Sequence, residues 1–148
     1  MPTEEARERA REDKRKGLSP STQAGEFLRE EMEHIREGEH GARSPEQAIA
    51  IGLSKARRAG VDLPPPKRGQ ERTKRQAKRD LSKGRKEGRK KPSRARSRAT
   101  KRALKRESTR SASKKALSRH AKRAAVQRSS RSRSAAAKKA ARTRRRRR

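Results

Sequence analysis

The sequence predicts a chain that is mostly disordered with α elements, and three observations lead to that reading. Hydrophobic residues make up 25% of the 148 positions and charged residues 45%. Most of the chain therefore lacks the apolar surface that offsets roughly 1–2 kcal/mol of backbone entropy per ordered residue. The charge is also divided sharply, since residues 1–63 carry 12 basic and 13 acidic side chains whereas residues 64–148 carry 37 and 4. Finally, only residues 20–60 combine helix punctuation with an apolar face. Four regions follow: a charged N-terminal helix (1–18), a helical hairpin (19–63), a proline-started disordered basic linker (64–97) and a Lys/Arg/Ala/Ser-rich tail (98–148).

Residues 3–16 read as a frayed helix. Thr3 can cap it, Glu4 and Glu5 suit the positive end of the helix dipole, and Lys14, Arg15 and Lys16 suit the other end. Its apolar residues are Ala6 and Ala10, too little to bury. Gly17 stops it. The hairpin follows, with helices at about 20–37 and 45–59. In the first, Ser19 precedes Pro20 at the first helical position, and Ala24, Leu28, Met32 and Ile35 share a face with Phe27 at its edge. In the second, Ser44 and Gln47 form a capping box, and Ala48, Ile49, Gly52, Leu53, Ala56 and Ala59 lie within an arc of about 140°. Gly52 on that arc suggests close helix approach. Gly60 and Val61 fit a Schellman end, and Pro64–Pro66 prevents continuation.

Seven or eight buried apolar side chains leave such a hairpin marginal alone. The expected hairpin or dimer contacts are Phe27, Leu28, Met32, Ile35, Ile49, Ile51 and Leu53, with Phe27 and Ile51 left at the margins for a homodimer or a protein partner.

The tail contains no proline or glycine between 98 and 127 and is rich in Ala, Lys, Arg and Leu. Propensity favours helix there while like charges at i,i+4 oppose it, so the expectation is a conditional helix that forms on neutralisation. Two 13-residue stretches, 100–112 and 113–125, share a loose repeat.

A formal charge of +32 points to a polyanionic partner. Lys and Arg bind phosphate without reading sequence, and the candidate contacts are Lys101, Arg102, Lys105, Arg106, Arg110, Lys114, Lys115, Arg119, Lys122, Arg123, Arg131, Arg133, Arg142, Arg144, Arg145, Arg146, Arg147 and Arg148. Base stacking is disfavoured because the tail has no aromatic ring. Lys55, Arg57 and Arg58 are the basic residues of the second hairpin helix, too few to argue for a base-reading helix-turn-helix. Serines beside arginines, such as Ser93, Ser97 and Ser129–Ser134, read as polar spacers.

No catalytic constellation is present, so the chain reads as a non-enzyme without cofactor or small-molecule substrate. His34 and His40, with Glu33, Glu37 and Glu39, read as a solvated acidic helix end rather than a metal site. With no cysteine, no signal-like N-terminus and no membrane-length apolar run, the expectation is a protein of the bacterial cytoplasm and nucleoid.

Two resemblances sharpen these expectations. The stretch EQAIAIGLSKARRAG (46–60) is similar to a segment of small basic bacterial proteins of unknown function. The tail resembles bacterial histone H1-like nucleoid proteins, and its ARTRRRRR end resembles protamines, although it carries more Arg and Ser than such tails. This resemblance implies sequence-independent DNA binding and chromosome condensation, duplex DNA being favoured over RNA. An RNA- or ribosome-associated protein and an adapter with a localising tail remain open.

Overall fold

The structure is a computed structural model and describes residues 2–85 and 93–147. Seven α-helices appear in chain order: α1 (Glu4–Arg15), α2 (Pro20–Arg36), α3 (Pro45–Arg58), α4 (Glu71–Arg85), α5 (Arg94–Lys105), α6 (Lys114–Val126) and α7 (Ser130–Arg147). A 3₁₀ turn, Thr109–Ala112, stands between α5 and α6, and there is no strand among the described residues. The expectation of a mostly disordered chain is therefore overturned: the molecule is predominantly helical.

The helices start and stop where local chemistry directs. Thr3 accepts a hydrogen bond from the Ala6 N–H, and Ser44 accepts one from the Gln47 N–H. Gln47 reciprocates one residue early, its Oε1 accepting from the Arg43 N–H at 2.7 Å. At the end of α3, Gly60 takes φ +99°, the Gly60 N–H donates to the Arg57 carbonyl and the Val61 N–H to the Ala56 carbonyl. That pair of bonds is the Schellman motif the sequence indicates.

Helix α1 packs on α2, α2 on α3, and α3 on α4. One core cluster joins Ala6 and Ala10 to Ala24, Phe27, Ala56 and Val61. This corrects the frayed reading of residues 3–16. Two alanines suffice because their small side chains let α1 approach α2 closely. The fit is reinforced by Arg9 Nε 3.2 Å from the buried Glu26 carboxylate. The second cluster joins Met32, Ile35, Ala42 and Ala48 to Ala112 of the 3₁₀ turn. Between the two helices of the hairpin, a Cβ on Gly52 would lie 3.1 Å from Leu28 Cα, so the close approach inferred from its position is real.

The linker and tail also depart from disorder, for a physical reason. In α4, Ala77, Asp80, Leu81 and Gly84 recur at helical spacing, but the stripe contains a carboxylate and a glycine and so carries little apolar signal. Asp80 is only 1% exposed. It accepts hydrogen bonds from Ser54 Oγ (2.8 Å), Arg58 Nε (2.7 Å) and Gln76 Nε2 (3.1 Å). A polar clasp thus holds α4 to α3 in place of a hydrophobic one. Residues 86–92 of the linker, including Pro92, lie outside the described residues.

The tail is fixed to the hairpin through the loop after α2. The Gly41 N–H donates to the Leu104 carbonyl (2.9 Å) and the Ala42 N–H to the Ser108 carbonyl (3.1 Å), while Arg36 Nε donates to the Ala112 carbonyl (2.9 Å). A Cβ on Gly41 would fall 2.0 Å from the Glu107 carbonyl oxygen, which is backbone and has no rotamer to escape by. Gly41→Ala is expected to detach residues 104–112 at a cost of about 1–3 kcal/mol. Limited trypsin digestion checks it, through faster cleavage after Lys105 and Arg106.

Candidate nucleic-acid interface and a buried Glu-His cluster

Cations of the head and of the tail meet different fates. In α3, Lys55 Nζ lies 2.6 Å from Glu31, and Arg58 is 2.7 Å from Asp80. Arg57, only 7% exposed, donates to the carbonyls of Leu63 and Pro64 at 3.0 and 3.2 Å, and burial pulls its pKa below the ordinary arginine value. Each basic side chain of α3 is thus engaged by the chain's own acceptors, so α3 has no cation left to read bases.

The tail is the opposite case. Lys101, Arg102 and Lys105 project from α5, Arg106 caps it, and Arg110 sits in the 3₁₀ turn; all are exposed. So are Lys114, Lys115, Arg119, Lys122 and Arg123 on α6, and Arg131, Arg133, Arg142, Arg144, Arg145 and Arg146 on α7. The side chain of Arg147 and the whole of Arg148 lie outside the described residues. Glu107 is the one acidic residue of the sequence from 93 to 148, and it stands 3.9 Å from Arg43 of the head. Among the candidates, Arg123 lies 3.5 Å from Glu46, and Arg133 donates to the Ala125 and Arg128 carbonyls. Residues four apart on a helix stand about 6 Å apart along its axis. Helix order therefore arranges Lys101 with Lys105, and Lys115 with Arg119 and Arg123, into cationic rows.

Tail and head also touch through Glu46, whose Oε1 is 2.8 Å from His120 Nδ1. The Glu46 carboxyl is lowered to about 2, first by its own backbone N–H, then by the Ser44 hydroxyl and His120. A depressed carboxyl stabilises the folded state above its ordinary value near 4.5, and that contribution is lost as pH falls from there through about 2. Because Glu46 is half exposed, the effect on global stability is small. The local effect is measurable: the carboxyl carbon of Glu46 is expected to titrate near 2 by NMR, and His120→Ala to move that midpoint upward.

Six of the seven hairpin contact residues pack within the chain, five in the two core clusters and Leu28 against Gly52, whereas among the described residues Ile51 joins neither cluster. Phe27 (1% exposed), Met32 (7%) and Ile35 (0%) are buried, while Leu28, Ile49, Ile51 and Leu53 are half-buried. Phe27 is therefore core and not a margin left open for a partner. Among the described residues the exposed large hydrophobic side chain is Val126, outside the hairpin.

One grouping is not evident from the sequence. Glu31 is fully buried, and ligand atoms of Glu31, His34 and His40 lie within 4.8 Å of one another. Glu33, Glu37 and Glu39, the acids that the sequence sets beside the histidines, are exposed, although Glu39 Oε2 comes 3.8 Å from His34 Nδ1. The signal that the sequence does hold is the i,i+3 spacing of Glu31 and His34, which puts both on one face of α2.

No described helix is long and apolar enough to cross a membrane. No curated protein and no solved structure matches the chain. Residues 20–68, which hold the hairpin and its proline exit, match the model of a family of unknown function, DUF6496.

Proposed function

We propose that the protein binds nucleic acid independently of sequence, through phosphate contacts made by the exposed Lys and Arg of α5, the 3₁₀ turn, α6 and α7. The observation that carries this reading is the contrast between head and tail. The basic residues of α3 are consumed by internal acceptors, whereas sixteen candidate tail cations stand exposed in a stretch, 93–148, whose one acid is Glu107.

Phosphate binding releases condensed counterions, and arginine adds bidentate contacts. The reading predicts a helical phosphate-binding surface rather than a flexible arm. Neutralisation by phosphate would also remove the i,i+4 repulsion within these helices, so binding and helix stability support each other.

The test replaces Arg131, Arg133, Lys138, Lys139 and Arg142 of α7 together by Gln. These side chains are exposed, so the substitutions leave the packed head alone. Anisotropy of a labelled duplex should show weaker binding, and the slope of log K against log salt should become shallower by about 0.9 for each phosphate no longer neutralised. Unchanged affinity, or strong preference for one base sequence, would overturn the reading. Competition between duplex DNA and structured RNA at matched salt decides which polymer is preferred.

A further inference from the structure

We propose that Glu31, His34 and His40 form a binding site for a divalent transition-metal cation of the zinc type. The site lies at the C-terminal end of α2 and in the loop after it, uses none of the proposed phosphate contacts, and does not depend on that reading. Two imidazoles and a carboxylate are the donor set that zinc and its neighbours take from proteins.

His40 sets the electrostatics of the cluster. Its Nδ1 is 3.1 Å from the Gly41 carbonyl oxygen. A carbonyl can only accept, so Nδ1 carries the proton and donates it. Nε2 is then the ring atom left to face Glu31 and the one that could bind a metal. Nε2 lies 3.4 Å from Glu31 Oε1, and Glu31 is fully buried. A buried carboxylate oxygen without a hydrogen-bond partner calls for an electropositive centre beside it, and Nε2 of His40 stands where it would share one.

Lys55 does not fill that role. Its Nζ sits 2.6 Å from the other carboxylate oxygen, Oε2. The carboxylate is thus divided: Oε2 is held by the ammonium, and Oε1 is turned to the histidine. Neither oxygen finds a hydrogen-bond donor of ordinary geometry, so their compensation is ionic. Lys55 then holds the carboxylate in place for monodentate ligation through Oε1.

The distances suit a metal. Tetrahedral ligands about 2.0–2.1 Å from zinc stand roughly 3.3 Å apart, close to the separation between Nε2 and Oε1. His34, one helical turn beyond Glu31, brings a ligand atom within 4.8 Å of the other two, so a bound metal would draw the three closer together. The Nδ1–H···O=C bond of His40 is also the outer-sphere support that metal-bound imidazoles generally have, fixing both tautomer and ring orientation. Glu39, 3.8 Å from His34, is placed to adjust as a further ligand or to orient that ring.

The chain's three histidines make the test direct, because His120 lies outside the cluster and serves as an internal control. Zinc chloride is titrated into the full-length protein without nucleic acid, and the imidazole proton–nitrogen NMR signals are followed. At one equivalent the His34 and His40 signals should move to a bound position while those of His120 stay in place. Competition with a chromogenic chelator should give one site per chain, weakened at least tenfold by His34→Ala or His40→Ala and unchanged by His120→Ala. Signals that do not move would overturn the proposal. Equal movement of all three histidines, or equal affinity in every variant, would overturn it as adventitious binding. The wild-type titration decides the matter even if a variant folds poorly.

Discussion

Between 50 and 200 mM salt, the affinity of the protein for duplex DNA is expected to fall about 10³–10⁵-fold, the range for 6–10 simultaneous phosphate contacts. Sixteen exposed candidate cations make that number of contacts attainable even if most face away from one duplex. The structure constrains the result more tightly than composition does. Cations on a helix cannot all reach one polymer, since those on opposite sides point about 180° apart. The slope should therefore report fewer contacts than the charge of the tail suggests, and a second duplex should bind at the cations left over. Fluorescence anisotropy at four or five salt concentrations gives the slope. Affinity almost unchanged at half-molar salt would remove phosphate neutralisation as the binding force.

Replacing Lys55 by Met is expected to destabilise the fold by about 3–5 kcal/mol, since it leaves the Glu31 carboxylate buried without its cation. The cost arises from desolvation of the orphaned charge more than from the missing attraction. The double variant Lys55→Met with Glu31→Leu should recover most of the stability, because apolar groups of similar volume replace a buried pair at little net cost. Urea unfolding followed by circular dichroism measures both. If the single and double variants are equally destabilised, the pair contributes through packing and not through charge. Zinc should stabilise the wild type and leave the double variant unaffected, which ties this series to the cluster on α2.

The hairpin is readable from sequence because it uses ordinary signals. Ser44 with Gln47, Pro45 at the first position, the Gly60–Val61 ending and the apolar periodicity all specify α3 locally. The remaining elements are held by other means. Helix α1 docks through Ala6 and Ala10, residues whose value lies in being small. Helix α4 docks through Asp80, and hydrophobic periodicity cannot reveal a carboxylate that finds Ser54 and Arg58 in the folded chain. The end of α5 and the segment after it dock through backbone hydrogen bonds from Gly41 and Ala42, which hydrophobic periodicity cannot show, with the Arg36 and Ala112 side chains adding to them. The cationic residues of the tail are legible from charge alone. Their placement on helices is only half legible: propensity indicates helix over 98–127, but cationic repulsion argues locally against it, and nothing in the sequence marks α7. The Glu31 cluster is half legible: both histidines stand out in the sequence, but their buried partner is recognisable only once Lys55 of α3 stands opposite.

Helix α7 is exposed along almost its whole described length, with Thr143 alone half-covered. Substitutions there face little constraint from packing, so selection can add or remove an arginine without disturbing the remainder of the molecule. On the proposed reading, affinity for nucleic acid would be set by the number of arginines on α7, while the hairpin keeps its shape whatever that number.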